Sequence, residues 1–373
     1  MLAGDRLRAS SGIATYARMR LAVASVMALL LGCEARHFDA AVAPGPADPT
    51  PPQPPTNFGP WVRDSTVPAG YGPSSAFHSP QAGDLWLEIR DNTSQQHLAL
   101  YHRSAGAWAS VFEMDTHSPT KVWIRSPREA WILEFGGALH VVTPSGDAIT
   151  DLSRTGRFYS AVADGWIAYF EATGGNPSAH CQGIGFLRQT DSGFTDVPAP
   201  EACSAVSDIY GTAAVTLNGE VLFWDGSNWK IKNRLESGGL TYYGTLSGGG
   251  PNDLYLLGGT LHGLVTLGHH FDGAIWNRFQ LDGSNLIVSF WARPSGPRWG
   301  LNRSDAFEWD DAGWHNRGPM PTTLAHEWGG ASGIGSDGTD IFVTGEWVHP
   351  GGGEWVPPGS GVPGTIWVYR YAR

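Results

Sequence analysis

Several groups of residues in this sequence approach the types and spacing of known chemistry. His326-Glu327-Trp328-Gly329-Gly330 begins like the helical zinc-protease motif, but Gly330 stands where the second histidine ligand is needed. The segment also reads as a strand, where residues four apart do not converge as they do on a helix. His262, His269, His270 and Asp272 lie close together and are of metal-ligating types, but they fall across a hairpin and its loop, so no metal is assigned to them. Gly333-Ile334-Gly335-Ser336-Asp337-Gly338 and Gly359-Ser360-Gly361-Val362-Pro363-Gly364 both match Gly-x-Gly-x-x-Gly. Each leads into a strand, so neither offers a helix N-terminus to a phosphate, and both read as turns. No Gly-x-Ser-x-Gly elbow and no phosphate-loop lysine motif occurs. What remains for catalysis is His326 and Glu327 as an acid and base. Adjacent strand residues point to opposite faces, so at most one of them faces a shared cavity. No catalytic residue and no cofactor is assigned.

The elements that would position these residues come from one repeat. An acidic residue, any residue, then an aromatic recurs as Asp84-Leu85-Trp86, Glu129-Ala130-Trp131, Asp164-Gly165-Trp166, Asp208-Ile209-Tyr210, Asp253-Leu254-Tyr255 and Asp340-Ile341-Phe342, with Arg298-Trp299 as a variant. The period is about 43 residues, within the range of four-stranded propeller blades. Each motif is predicted to open the second strand of a blade. A turn followed by Trp108, Phe194, Trp229, Trp276 or Trp314 marks the fourth strand, with Ile149 the weak member. The last repeat lacks this mark, and Gly59-Pro60-Trp61-Val62-Arg63 at the other end supplies it. The sequence therefore predicts an all-β, seven-bladed propeller over residues 58–373, its blades four-stranded and antiparallel. The N-terminal strand completes the last blade. The pattern resembles repeats of exported bacterial propellers, loosely akin to Kelch and WD40 blades. That resemblance implies a fold and almost nothing about activity.

Composition agrees with many short strands and tight turns: Gly is 50 of 373 residues, Trp is 17, and only 16% of residues are charged. Residues 1–32 read as a signal peptide, with Arg18 and Arg20 before an apolar run from Leu21 to Leu31, and with Met1 or Met19 as the start. Leu30-Leu31-Gly32-Cys33 resembles a bacterial lipoprotein signal, which implies acylation of Cys33 and anchoring in the cell envelope. Glu34 in place of aspartate points to the outer membrane of a Gram-negative cell. Residues 33–57 are rich in proline and read as an extended tether. Export favours a disulfide between the two remaining cysteines, Cys181 and Cys203. The whole chain carries a net charge of −11, and loss of the signal peptide removes four arginines and one aspartate. Such a surface repels nucleic acid and anionic lipid, so contact with the membrane is expected through the lipid alone. A monomer is expected.

Two features suggest binding. Phe77, Trp123, Tyr159, Tyr243, Trp291 and Trp328 fall at the matching inner-strand position of six blades, with Cys203 in the seventh. Such a ring of aromatics could hold a sugar or peptide, but a position filled in nearly every blade is better explained by packing between blades. On that reading the neighbouring His78, Ser160, Ser204, His326 and Glu327 face the channel. The second feature is loop length. The connection between strands two and three is long in blade three, from Glu171 to Gly183, and in blade seven, from Glu346 to Gly364, where it carries Trp347, His349, Glu354 and Trp355. Long loops on a rigid scaffold are where binding residues gather, and exposed tryptophan is a strong anchor. The expected function is an envelope-anchored module that binds a protein or a glycan, with Trp347, His349, Trp355, Trp123, Trp291, His326 and Glu327 as candidate contacts. Two other readings fit the same sequence: a glycan hydrolase or lyase in the channel, and an outer-membrane assembly scaffold.

Overall fold

The structure is a computed structural model. It describes residues 57–371 apart from 70–72, 80, 92–96, 116–119, 172–182, 198, 200–203, 236–240, 261–265, 280–286, 288, 293–297, 303–304, 311–312, 320–332 and 349–363. Cys33, Cys181, Cys203, His326, Glu327, His349 and Trp355 lie outside the described residues, as do the signal peptide and nearly all of the tether.

Every described element is a strand. Two come from the N-terminus, β1 (Asn57–Phe58) and β2 (Trp61–Ala69). Blade one is β3 (Pro73–His78), β4 (Leu85–Asp91), β5 (His97–Ser104) and β6 (Ala107–Asp115). Blade two is β7 (Thr120–Ser126), β8 (Glu129–Glu134), β9 (Ala138–Thr143) and β10 (Gly146–Asp151). Blade three is β11 (Arg157–Ala163), β12 (Trp166–Glu171), β13 (Gly183–Thr190) and β14 (Gly193–Val197). Blade four is β15 (Val206–Tyr210), β16 (Ala213–Thr216), β17 (Glu220–Trp224) and β18 (Trp229–Arg234). Blade five is β19 (Thr241–Gly250), β20 (Asp253–Thr260), β21 (Thr266–Phe271) and β22 (Trp276–Phe279). Blade six is β23 (Ser289–Trp291), β24 (Arg298–Leu301), β25 (Asp305–Asp310) and β26 (Gly313–Pro319). Blade seven takes β27 (Ile334–Ser336), β28 (Ile341–Val348) and β29 (Gly364–Tyr371) from the C-terminus, then β2 and β1, in the order β1-β2-β29-β28-β27. The predicted seven-bladed propeller and its closure by the N-terminal strand are both present. The short β1 is an addition that covers the outer edge of the last blade.

Alternation along the strands explains the core. In β4, Leu85, Leu87 and Ile89 pack toward blade seven with Phe342 and Val368, while Trp86 packs toward blade two with Ile124, Ala130 and Ile132. The same division repeats around the ring. Each of the seven apolar clusters is shared by two neighbouring blades, and the last joins Trp291, Trp299 and Leu301 of blade six to Trp61, Ile341 and Tyr369 of blade seven.

The acidic position of the repeat is used for anchoring. Trp86 and Trp131 donate their indole N–H groups to Asp84 (3.2 Å) and Glu129 (2.7 Å). Asp164, Asp208 and Asp253 reach the following blade, accepting from the Gly211 N–H (2.5 Å), the Leu246 N–H (2.8 Å) and the Arg298 guanidinium (3.2 Å). One repeat assignment needs correction. Asp208-Ile209-Tyr210 lies in β15, the first strand of blade four, and not at the start of the second strand. Blade four starts its second strand at Ala213 after the Gly211-Thr212 turn, so the motif spacing slips there by several residues. Gly333 to Gly338 forms β27 and the turn after it, and Gly335 packs against the Phe77 side chain of blade one.

Antiparallel order gives the propeller two ends. One carries the turns between strands one and two and between strands three and four. The other carries the connections between strands two and three and between successive blades. β29 ends where β2 begins, with Tyr371 paired to Trp61. The C-terminal strand therefore ends at the first of these two ends, while β1 runs back antiparallel to β2 from the Phe58–Trp61 pair.

Candidate functional site

The described inner-strand aromatics pack between blades; Trp328 lies outside the described residues. Tyr159 and Tyr243 are buried, and their rings lie against Gly137 and Gly219 of the preceding blade. At both glycines φ is positive, +101° and +83°, and a β-carbon would approach the neighbouring ring to 2.7 Å and 2.5 Å. Phe77 meets Gly335 in the same way. Trp291 is buried among Trp61, Trp299 and Leu301. Trp123 is half-buried and stands edge-on to Trp131 at 5.1 Å. His78 bonds to the buried Glu88 at 2.7 Å, and the Ser204 hydroxyl accepts from the Asn218 N–H at 3.1 Å. Ser160 sits at a β-bulge between Tyr159 and Ala161.

Trp347 was expected in the long loop of blade seven. It lies instead within β28, paired to Ile366 of β29, because the hairpin extends further than the glycine-rich sequence suggests. His269 and His270 occupy successive positions of β21, and His270 bonds to Asp253 at 2.8 Å. Among the described residues no group of three or more His, Cys, Asp or Glu is placed to hold a metal ion.

A site does form at the root of the long loop of blade three. The ends of β11, β12, β13 and β14 enclose a groove of about 440 Å³ lined by Arg157, Tyr169, Glu171, Ile184 and Asp196, with Gly183 and Gly185 alongside. Strand pairing explains the arrangement. Arg157 is opposite Glu171 and Tyr169 is opposite Gly185, so the missing side chain at 185 leaves room for the Tyr169 ring. The Arg157 guanidinium lies over the other side of that ring, 4.0 Å from its centroid. It donates to Glu171 (3.0 Å) and to Asp196 (2.8 Å). Asp196 also accepts from the Tyr169 hydroxyl (2.9 Å) and from Arg154 (2.8 Å), which arrives on the connection from blade two.

The network fixes the charge states. Burial raises the Asp196 carboxyl, but the Tyr169 hydroxyl and the two guanidinium groups outweigh burial and hold it below the usual carboxylate range. Burial, reinforced by the bond to Asp196, pushes the Tyr169 hydroxyl up to about 12. Burial lowers Arg157, but its carboxylate partners raise it further, so it stays protonated. Arg157, Tyr169 and Asp196 are therefore fixed in a set of oriented donors and acceptors, and none of the three exchanges a proton near neutral pH. Sequence reasoning located the loop of blade three through Glu171 but missed its companions. The signal available was Gly-Ile-Gly at 183–185, two glycines on alternate positions of a strand facing an aromatic.

No family model matches the sequence, and no curated protein matches it. Among solved structures, a putative oxidoreductase (glucose dehydrogenase) from Thermus thermophilus is similar, with a TM-score of 0.36 and 12% identity, over 67% of this chain and 96% of that one. A likeness at this level adds nothing to the reading of the groove.

Proposed function

We propose that this protein is a binding module of the cell envelope, and that its working end carries the connections between strands two and three. The carrying observation is the blade-three groove, whose donors and acceptors are held in fixed positions by ion pairs on a rigid sheet. Pre-organisation of this kind favours recognition, because little side-chain freedom is left to lose on binding. Its carboxylate at Asp196 is held ionised by Arg154 and Arg157, which suits holding a ligand better than donating a proton.

The test is affinity capture from a native envelope fraction on the immobilised full-length protein, run beside a Trp347→Ala, Trp355→Ala variant and an Arg157→Gln variant. A defined component held by the wild type and released by at least one variant supports the reading. A component that both variants hold as well as the wild type, but that is lost on substituting the turns at the opposite end, overturns the choice of end.

A further inference from the structure

We infer that the blade-three groove is a carbohydrate site, and that its ligand is an uncharged sugar presented by a glycan. This rests on the binding-module reading and names its ligand class.

The charge balance comes first. Arg154 and Arg157 face Glu171 and Asp196, and three ion pairs join the four groups at 2.8 to 3.0 Å. The site is close to neutral, so a charged ligand gains little Coulomb attraction and would have to compete with ion pairs already made. An uncharged ligand does not.

The hydrogen-bonding pattern comes second. A carboxylate offers about four lone-pair positions and a guanidinium five N–H donors, and the pairs above leave part of both sets open to the groove. Glu171 and Asp196 are about half exposed on their side chains, 49% and 41%. A sugar hydroxyl is both donor and acceptor. Neighbouring hydroxyls can therefore donate to a carboxylate while accepting from the adjoining arginine, and the fixed alternation of acid and base along this wall matches that demand.

The walls come third. Ile184, Val197 and Ala199 border the groove from the other face of the sheet, where they pack against the core shared with blade four, and Gly183 is the exposed glycine of the rim. The volume, about 440 Å³, lies in the ~300–1,000 Å³ range of small-ligand sites. Rigidity completes the case. Tyr169 is held between Gly185 and Arg157, so the wall is set before a ligand arrives.

The experiment titrates purified full-length protein with three probes of similar size, a neutral hexose disaccharide, a uronate-containing disaccharide and an amino-sugar disaccharide, using ligand-observed NMR and calorimetry. The expected result is preferential binding of the neutral disaccharide. Glu171→Gln and Asp196→Asn should each weaken it by about ten- to a hundredfold, the loss of one charge-assisted hydrogen bond, while Ile275→Ser, exposed on the turn between β21 and β22 of blade five, leaves it unchanged. Because Asp196 also anchors two arginines, circular dichroism of each variant establishes that the ring is intact, and Glu171→Gln, whose ion-pair partner among the described residues is Arg157, carries the test if Asp196→Asn is misfolded. Preference for the uronate or amino sugar overturns the inference, as does neutral-sugar binding that neither variant alters. An absence of sugar binding overturns it too. If the envelope capture still returns a component through Trp347 and Trp355 in that last case, the binding-module reading stands and only the carbohydrate assignment fails.

Discussion

Trp61 is the residue on which ring closure should depend most. It is fully buried in β2, with Tyr371 at 5.2 Å and Trp299 at 6.3 Å between ring centroids, both edge-on. It therefore joins three separate parts of the chain: the N-terminal strand, the C-terminal strand and blade six. Replacing a buried tryptophan by alanine costs about 3–5 kcal/mol, as transfer energy plus an incompletely collapsed cavity. Trp61→Phe keeps a ring in the site and should cost less than about 2 kcal/mol, nearer to a volume-conserving exchange. For domains of 150–250 residues each kcal/mol moves the melting midpoint by roughly 2–4 °C, and larger domains fall at the low end, so at about 2 °C per kcal/mol Trp61→Ala should melt about 6–10 °C lower. The assay is thermal and urea unfolding followed by far-ultraviolet circular dichroism, which does not depend on the fluorescence of the residue removed. Ile149→Ser serves as control, because Ile149 is 64% exposed on an outer strand and should change stability by less than about 0.5 kcal/mol. If Trp61→Ala unfolds within 1 °C of the wild type, the N-terminal strand does not hold the ring closed.

Three further outcomes follow from the packing. Burial lowers His140, but bonds to Asp147 (2.9 Å) and Glu134 (3.1 Å) outweigh it and raise the histidine above 6.5. The sign is that of a raised folded-state value: the contribution is full below 6.5 and is lost as pH rises through the folded value, so a stability decline on the alkaline side of 6.5 should be absent in His140→Gln, checked by urea midpoints across pH. Burial raises Glu88, but Arg90 and His78 more than reverse this and bring it down to about 2, so its contribution is present above 4.5 and fades as pH falls toward 2. Glu88→Gln should destabilise at pH 7 by up to about 3–5 kcal/mol, toward the lower end because Arg90 and His78 are each about one-quarter exposed, and by much less at pH 3. Gly219→Ala places a methyl 2.5 Å from the Tyr243 ring at a φ of +83°, and overpacking with left-handed strain should cost about 2–5 kcal/mol, read from the same unfolding curves.

The fold was legible because a propeller writes its architecture into the sequence seven times. Asp84-Leu85-Trp86 alone would mean little; its return at Glu129, Asp164 and Asp253 fixed blade number and strand order. The missing tryptophan of the last repeat located the closing strand. Asp208 shows the limit of this reasoning, since three residues of the right type also occur one strand early and only pairing with Val215 and Ala214 separates the two placements. Trp347 shows another: glycine and proline nearby suggested a loop, while the strand partner that keeps it in a sheet, Ile366, lies beyond that loop. The groove was hidden for a related reason. Arg157, Tyr169, Glu171 and Asp196 come from three strands, and no local spacing announces that they meet.

The same physics explains why the repeated residues and the groove serve different ends. A side chain that recurs in every blade must solve a problem that every blade has, which is contact with its neighbour. Asp164, Asp208 and Asp253 do so by hydrogen bonding forward, and Tyr159 and Tyr243 by packing backward on glycine. Recognition of one ligand needs the opposite, a constellation that occurs once. Like Arg157, Arg103 pairs with two carboxylates, Asp64 and Asp337, over the Phe342 ring, so what sets the blade-three group apart is its groove and the Tyr169 hydroxyl bonded to Asp196. The group stands beside the connection between strands two and three of blade three. Function in this protein is therefore best sought where the repeat is broken, and blade three breaks it with charge as well as with length.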